Sequence, residues 1–216
     1  MSEFKKIGYS LLVGLLVTVV FANTVGAYSD TVQGGIAEGI IRLHVLANSD
    51  SPEDQALKLA VRDYIVGKYS GVLSAGESKL ETMESLSALL PEIERCATEK
   101  ISELGYSYGV NATLSKSYFP TKNYGGVSFP AGEYDALRLE IGSGNGKNWW
   151  CVLFPPLCFV DVTHKAVDAE TRKKLEQTLG EEEYNIIAGA QPGGEVSYKV
   201  KFKLVEIWQQ LMHGWK

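Results

Sequence analysis

The chain has 216 residues, of which 45% are hydrophobic and 22% are charged. These values are typical of a globular protein rather than a disordered one, and the length suits one domain of ordinary size. The formal net charge of −5 argues against a nucleic-acid partner, which would require a basic surface.

The N-terminus has the three parts of a secretory signal. The pair Lys5-Lys6 precedes the uncharged, largely apolar run Ile7–Ala22, and the small residues Val25-Gly26-Ala27 follow. The run is short for a membrane span, which takes about 20 apolar residues. We therefore predict that residues 1–27 are a signal peptide cleaved after Ala27 or, as the alternative, an uncleaved anchor that associates the chain with a membrane. In both cases the rest of the chain is exported.

The segment after the signal begins with a predicted linker. Residues 28–39 are small, polar and glycine-bearing, which favours a linker over a regular element. The folded domain is predicted to occupy residues 40–216. It opens with Ile40–Asn48, where apolar and polar side chains alternate as in a strand.

A helix is predicted to follow this strand. Ser51 suits the N-cap and Pro52 suits the first helical position. Apolar side chains then recur at helical spacing as far as Ile65. Gly67–Ser78 lacks such a pattern and is expected to be loose and turn-like.

The stretch from Lys79 to Leu104 also has helical spacing, but it contains a proline. Proline lacks the backbone donor and clashes with the preceding turn of a helix. We therefore predict one helix as far as Leu89 and a third helix, or a kinked continuation, from Pro91 to Leu104.

Three further strands are predicted before the double proline. Tyr106–Lys116 and Tyr134–Ile141 alternate as half-buried strands do. Ser117–Gly132, between them, is expected to be a long ordered loop or a ragged edge hairpin. Trp149–Phe154 has no polar residue, which predicts a central strand covered on both faces. We expect the glycine-rich stretch Gly142–Asn148 to be a hairpin turn.

The chain becomes more charged after the double proline. Residues 163–195 are predicted to be a variable helical insertion, with helices over Asp168–Leu179 and Glu181–Ile187. A strand at Ser197–Phe202 and a helix at Leu204–His213 complete the prediction. Together the elements indicate an α+β fold in two layers, with a mixed or mainly antiparallel sheet of about four or five strands and helices on one face.

The glycine-rich stretch differs from a phosphate-binding loop. Ile141 stands where such a loop has its first glycine, and Asn148 stands where it has serine or threonine. The stretch also leads into a strand, whereas a phosphate-binding loop opens a helix. The three histidines lack the spacing of a zinc site. We therefore predict neither a cofactor nor a metal.

Cys151 and Cys158 flank Pro155-Pro156, and a chain that doubled back at the prolines would bring the two sulfurs together as a disulfide. Two buried free thiols are the alternative, because cysteine is often a small core residue. A nucleophile or metal ligand is the third interpretation. With His44 as its base, a nucleophilic Cys151 would make the chain an exported thiol or cell-wall hydrolase. A structural role is the simpler interpretation of His44.

Aromatic residues are frequent in protein interfaces, and a set of them lies between Tyr118 and Trp150. The set forms either a partner surface or part of the packing of the core and loops. The residues that we assign to the partner surface are Tyr118, Phe119, Lys122, Tyr124, Lys147 and Asn148.

Six ordered blocks of the sequence occur between Ile40 and Asp161. The blocks are Arg42–Asp50, Asp54–Lys58, Val61–Asp63, Tyr118–Lys122, Phe129–Tyr134 and Gly146–Cys158. In this order they resemble the stage II sporulation protein R family. The likeness resumes more faintly near Lys201–Trp208.

This resemblance implies a role in endospore formation. Members of that family are made in the forespore and exported into the space between the forespore and mother-cell membranes. There they trigger a membrane-embedded aspartic protease, which cleaves the precursor of sigma-E. By this resemblance the chain is a signal and not an enzyme, that protease is its partner, and no catalytic residues are carried over.

Overall fold

The computed structural model describes residues 3–158 and 167–189. Its helices are α1 (Glu3–Gly39), α2 (Pro52–Lys68), α3 (Ser70–Ala75), α4 (Lys79–Glu103), α5 (Ala169–Leu179) and α6 (Glu181–Gly189). Its strands are β1 (Ile41–Leu46), β2 (Val110–Phe119), β3 (Lys122–Tyr124), β4 (Val127–Phe129), β5 (Gly132–Ile141) and β6 (Asn148–Phe154). The predicted α+β class is confirmed.

Four strands form a mixed sheet in the order β2-β5-β1-β6. β1 runs parallel to β5 and antiparallel to β6, while β2 runs antiparallel to β5. The prediction that Trp149–Phe154 is the central strand is wrong for the described part of the chain, in which β1 and β5 are central. The last residues of β6, Cys151–Phe154, are nevertheless buried. An apolar run indicates burial of both faces, and it does not reveal how many strands pair with it.

The glycine-rich stretch between β5 and β6 is not a hairpin turn, because β1 lies between those two strands. The stretch instead crosses the end of β1, and the Gly146 amide donates to the Ala47 carbonyl at 2.8 Å. Gly142 (φ 59°) and Gly144 (φ 63°) have left-handed backbone, which glycine adopts readily. A turn signal is local, and it gives no sign that a strand from much earlier in the chain occupies the space between its flanks.

The two faces of the sheet are covered by different elements. Leu43 and Val45 of β1 share one face with Leu137 and Leu139 of β5, and α2 and α4 pack against that side. On the other face, β3 and β4 pair as a hairpin and cover the beginning of β1 around Arg42. The edge hairpin considered for this stretch is thus present, and it covers the sheet rather than extending it.

The helices α2 and α4 begin at serine caps. Ser51 Oγ accepts a hydrogen bond from the Asp54 amide at 3.1 Å, and Ser78 caps α4 in the same way. α4 continues through Pro91, so the predicted third helix is the second half of one helix. Its buried apolar side outweighs the hydrogen bond that the proline removes. Gly67–Ser78, predicted to be loose, contains α3.

α1 continues as far as the first strand, so the prediction of a linker over residues 28–39 is wrong. Ile36 in this segment is fully buried. Two of the three glycines that suggested a linker permit close packing, since a Cβ on Gly35 would lie 2.7 Å from the Glu183 side chain and one on Gly39 would lie 2.8 Å from the Leu179 side chain. The last part of α1 therefore belongs to the folded domain.

The earlier part of α1 is exposed. Its large apolar side chains between Leu11 and Phe21 are 50% to 70% exposed. The helical stretch Leu11–Gly39 contains an 18-residue window with a mean hydropathy of 2.0, and it is long and apolar enough to cross a membrane, a test that a signal sequence also passes. The N-terminal helix is therefore compatible with a signal peptide and with an anchor.

The remaining elements agree with the sequence in part. β2 begins at Val110 rather than at Tyr106 and extends into the predicted loop. α5 and α6 are separated at Gly180, whose φ is 82°, as the glycine predicted. The predicted strand Ser197–Phe202 and helix Leu204–His213 lie outside the described residues.

Candidate functional site

The corner between β1 and α2 is bonded to the glycine-rich loop before β6. Asn48 accepts two hydrogen bonds from Ser143, one at Oδ1 from the amide (3.0 Å) and one at its carbonyl from the hydroxyl (2.7 Å). Ser49 Oγ and Asn48 Nδ2 donate to Asp54 Oδ2 at 2.6 and 2.9 Å, and these bonds lower the pKa of the Asp54 carboxyl. A Cβ on Gly146 would collide with the Ser49 carbonyl, so the loop closes onto the corner because glycine stands there.

Charged side chains join α2 to the same loop. Lys58 Nζ donates to the Lys147 carbonyl at 2.9 Å, and the Lys147 amide donates to Asp50 Oδ1 at 2.6 Å. Burial and then the neighbouring charge of Arg62 lower the pKa of Lys58. The loop is therefore a structural joint between β1, α2 and β6.

Arg42 projects from β1 into a cage of aromatic rings on the other face of the sheet. Its guanidinium carbon lies 4.4 to 5.8 Å from the ring centres of Phe119, Tyr124, Phe129 and Tyr134. Nε donates to the Cys151 carbonyl at 3.2 Å, and Nη2 donates to Tyr124 Oη at 3.1 Å. Arg42 is fully buried, and Nη1 has no hydrogen-bond partner among the described residues. Ring faces therefore stabilise this buried cation.

Cys151 and Cys158 form a disulfide, with their Cα atoms 5.2 Å apart. In the register of β1 and β6, Cys151 lies opposite Leu43, whereas His44 lies opposite Trp150. Successive residues of a strand point to opposite faces, so the sulfur and the imidazole are on different sides of the sheet. The geometry gives no support to a catalytic pair of Cys151 and His44.

The adjacent residues Trp149 and Trp150 also point to opposite faces of β6, and a cationic side chain lies over each indole ring. The Arg62 guanidinium carbon lies 4.1 Å from the Trp149 ring centre on the side of α2. The Lys122 ammonium lies 5.2 Å from the Trp150 ring centre on the side of the hairpin. Neither indole nitrogen has a hydrogen-bond partner in the described part of the chain.

Trp150 lies in a row with residues of the two central strands. Its neighbour across the β1–β6 pairing is His44, and His44 lies beside Arg138 across the β1–β5 pairing. The imidazole stacks on the Trp150 indole with the ring centres 5.9 Å apart and the planes 16° apart. Burial lowers the pKa of His44, so the ring is neutral near neutral pH. We call Lys122, Arg138, His44 and Trp150 the Trp150 patch.

The structure divides the predicted partner surface. Phe119 and Tyr124 are 0% and 1% exposed in the Arg42 cage, so the prediction that they face a partner is wrong. They form core packing, which was the alternative interpretation of the aromatic set. The other assigned residues are exposed or half-buried at the surface: Tyr118, Lys122, Lys147 and Asn148. Their contact with a partner stays a prediction.

Sequence reasoning did not assign Arg42, Arg62 or Arg138 to a cluster. A signal for Arg42 was present, because a charged residue stands in a strand whose other members are largely apolar. Its aromatic neighbours come from much later in the chain, and only the strand order brings them together. Arg138 was recognised as a member of the polar face of its strand, without its neighbours.

The donor sets typical of metal centres are absent from the part of the chain that the structure describes. No group of three or more His, Cys, Asp or Glu side chains that could hold a metal ion occurs within residues 3–158 and 167–189. Cys96, the free cysteine of this part, is buried in α4 next to Lys68.

A family model described as Stage II sporulation protein R matches residues 37–164. The curated Stage II sporulation protein R of Bacillus subtilis (strain 168) is 38% identical over 183 residues, covering 79% of this chain and 80% of that protein. No solved structure matches the chain significantly. The matched residues include the β1–α2 corner, the Arg42 cage and the Trp150 patch.

Proposed function

Because this chain belongs to the stage II sporulation protein R family, and is therefore a sporulation signalling protein, we propose that it activates a membrane-embedded aspartic protease. The activated protease cleaves the precursor of sigma-E during endospore formation. The chain is exported into the space between the forespore and mother-cell membranes, and it contacts the extracytoplasmic part of the protease. In this proposal it is a ligand and not an enzyme.

The observation that carries the proposal is the extent of the family match. Residues 37–164 contain the whole four-stranded sheet, α2 to α4 and the hairpin. The likeness therefore concerns one folded unit rather than a short motif. The exposed apolar part of α1 supports export, since it has the length and hydropathy of a signal or an anchor.

The proposed mechanism is differential binding. A ligand shifts an equilibrium between two states only by the difference between its affinities for them. The domain must therefore bind the active protease more tightly than the inactive one, and a tenfold shift takes about 1.4 kcal/mol of difference.

Reconstitution in a non-sporulating bacterial host tests this proposal. The chain is co-expressed with the candidate protease and the sigma-E precursor, and precursor cleavage is followed by immunoblot. The comparison is with a version that lacks Met1–Ala27. That version keeps residues 28–39, of which Val32, Ile36 and Ala37 pack on the domain, so the two versions differ in export and not in the folded unit.

We expect cleavage with the exported form alone. Equal cleavage with both forms would contradict an extracytoplasmic site of action. Absence of cleavage with either form, in a host where the protease is shown to be competent, would contradict activation. A host without the protease controls for cleavage by other enzymes.

A further inference from the structure

The disulfide between Cys151 and Cys158 encloses the turn at which the chain leaves β6. It spans a sequence separation of 7, and the two Cα atoms are 5.2 Å apart. The cysteines are buried, with exposures of 0% and 4%. The turn is also closed by its backbone, because the Leu157 amide donates to the Val152 carbonyl at 3.0 Å. The disulfide therefore reinforces a turn that hydrogen bonding already defines.

The strand that leads into this turn is paired on one side only within the part of the chain that the structure describes. β6 lies at one end of the strand order, next to β1. Its register shifts between Ile41 and Arg42, close to the turn. A strand with one neighbour and an irregular register has fewer hydrogen bonds to hold it than a central strand has. The disulfide thus restrains the end of β6 where the pairing is least regular.

The same end of β6 supplies two acceptors to the Arg42 cage on the other face of the sheet. The Cys151 carbonyl accepts from Arg42 Nε at 3.2 Å, and the Trp150 carbonyl accepts from Tyr124 Oη at 3.1 Å. Arg42 is fully buried. A displaced β6 would leave its Nε donor without these acceptors and shielded from water, which is unfavourable. The position of β6 therefore affects the packing of both faces.

The chain can also exist without the bridge. The Cys158 sulfur lies 3.2 Å from the Val152 carbonyl oxygen, so a thiol at this position can donate to that oxygen. A free cysteine is a small side chain that suits a buried site. Reduction therefore removes a covalent constraint and leaves no misfitting group. For a loop of this length, the loss makes the folding equilibrium about 30-fold less favourable.

We propose that this disulfide is a redox-dependent lock, which leaves the reduced chain easier to unfold before export and stabilises the domain after it. Thiols stay reduced in the cytoplasm, and disulfides persist in oxidising compartments outside it. As the sulfur–sulfur bond forms, the two thiols lose two protons and two electrons. The disulfide of an exported thiol–disulfide oxidoreductase accepts them and becomes two thiols. The inference rests on the export included in the proposed function, and it does not depend on the identity of the partner.

Thiol counting tests whether the lock forms on export. The full chain and the version that lacks Met1–Ala27 are expressed in the same host, quenched with acid, denatured and labelled with a maleimide of known mass. The chain has three cysteines. We expect one labelled thiol, Cys96, in the exported chain and three in the retained version. Three labelled thiols in the exported chain, or one in the retained version, would overturn the lock.

Pulse proteolysis in urea tests whether the bridge stabilises the fold. The full chain in detergent is compared before and after reduction, and we expect reduction to raise the unfolded population about 30-fold. The double variant Cys151→Ser with Cys158→Ser should behave as the reduced wild type under both conditions. An unfolded population that reduction leaves unchanged in the wild type would overturn the lock.

Cys96→Ala is the matched control, because it removes a buried thiol that lies outside the bridge. The quantity compared is the response to reduction, so a moderate change in the stability of the variant does not affect the result. We expect the wild-type response. Loss of the response in Cys96→Ala would overturn the assignment of the lock to Cys151 and Cys158.

The lock and the proposed function can fail separately. An exported wild-type chain that carries the bridge and activates no precursor cleavage would contradict the proposed function and leave the lock standing. An exported wild-type chain that activates cleavage with all its thiols free would overturn the lock and leave the proposed function standing.

Discussion

Arg42 and His44 stand two residues apart on the same face of β1, yet their surroundings differ completely. Arg42 is enclosed by four rings and donates to the Cys151 carbonyl and to Tyr124. His44 lies beside Trp150 and Arg138, whose Nε1 and Nε atoms, respectively, have no hydrogen-bond partner among the described residues. The hairpin of β3 and β4 covers the first residue and stops short of the second. We call these two regions the closed half and the open half of the face.

The difference shows how one sheet face can be enclosed by a structural cluster at one end and remain partly exposed at the other. In the closed half, the ring faces that surround the guanidinium compensate for its burial. In the open half, Trp150, Lys122 and Arg138 are only partly buried. Substitutions in the closed half should therefore lower the free energy of unfolding more than those in the open half.

The largest effect on stability is expected for Arg42→Ala. The substitution empties the cage and leaves the Tyr124 hydroxyl without the donor of Arg42. We expect the free energy of unfolding to fall by about 3 kcal/mol, measured by urea denaturation. Arg138→Ala in the open half is the control, with an expected change of about 0.5 kcal/mol or less. Equal losses for the two variants would abolish the distinction between the halves.

The disulfide lies on the opposite face of the sheet and is joined to the closed half through the backbone, because the Cys151 carbonyl accepts from Arg42. Replacing both Cys151 and Cys158 by Ser opens a short loop, and we expect a loss of about 2 kcal/mol. Reduction of the wild-type chain should produce a similar loss in the same urea titration. If neither treatment changes the free energy of unfolding, the Arg42 cage is sufficient to hold β6 in place without the disulfide.

The β1–α2 corner should also behave as a closed region, with a characteristic pH dependence. Asp54 is 4% exposed, and hydrogen bonds from Ser49 and Asn48 lower its pKa. Its contribution to stability is therefore complete above the ordinary Asp pKa of about 3.9 and is lost as the pH falls through the lower value of the folded chain.

The variant Asp54→Asn tests this dependence. We expect it to be about 1 kcal/mol less stable at neutral pH and to lose less stability than the wild type on acidification below pH of about 4. Urea midpoints collected across this range measure both effects. Parallel profiles for the two proteins would assign the acid sensitivity to other carboxyl groups.

The smallest effects on stability are expected in the open half. Lys122→Gln and Arg138→Gln should each change the free energy of unfolding by about 0.5 kcal/mol or less, because both side chains are partly exposed. A loss of stability as large as that of Arg42→Ala would move the Trp150 patch into the closed half.

The local elements of this fold were predictable because their signals are local. Ser51 and Pro52 identified the start of α2, and the alternation at Tyr134–Ile141 identified β5. Gly180 was correctly placed between two helices. In each case a few adjacent residues carry the information.

The sheet order and the clusters were not predictable in this way. The position of β1 between β5 and β6 depends on which apolar faces pack best, and no adjacent residues encode it. The Arg42 cage and the Trp150 patch inherit that dependence, since their members come from strands far apart in the chain. The linker prediction failed for residues 28–39 because Gly35 and Gly39 allow a helix to pack closely against the domain, and composition gives the same signal for such a helix as for a loop.

Because α1 is uninterrupted, its length sets the distance between the apolar N-terminal run and the folded domain. Between Ala22, at the end of the apolar run, and Ile36, in the core, the helix rises about 20 Å. In an anchored chain that retains Met1–Ala27, this continuous helix would therefore hold the domain close to the bilayer. The domain would then diffuse only in the plane of the membrane. A chain cut after Ala27 keeps only the last part of α1, which packs on the domain, and it would diffuse in three dimensions. Under the proposed export, cleavage of this one peptide bond would decide whether the signal is confined to its own membrane or reaches the opposite one.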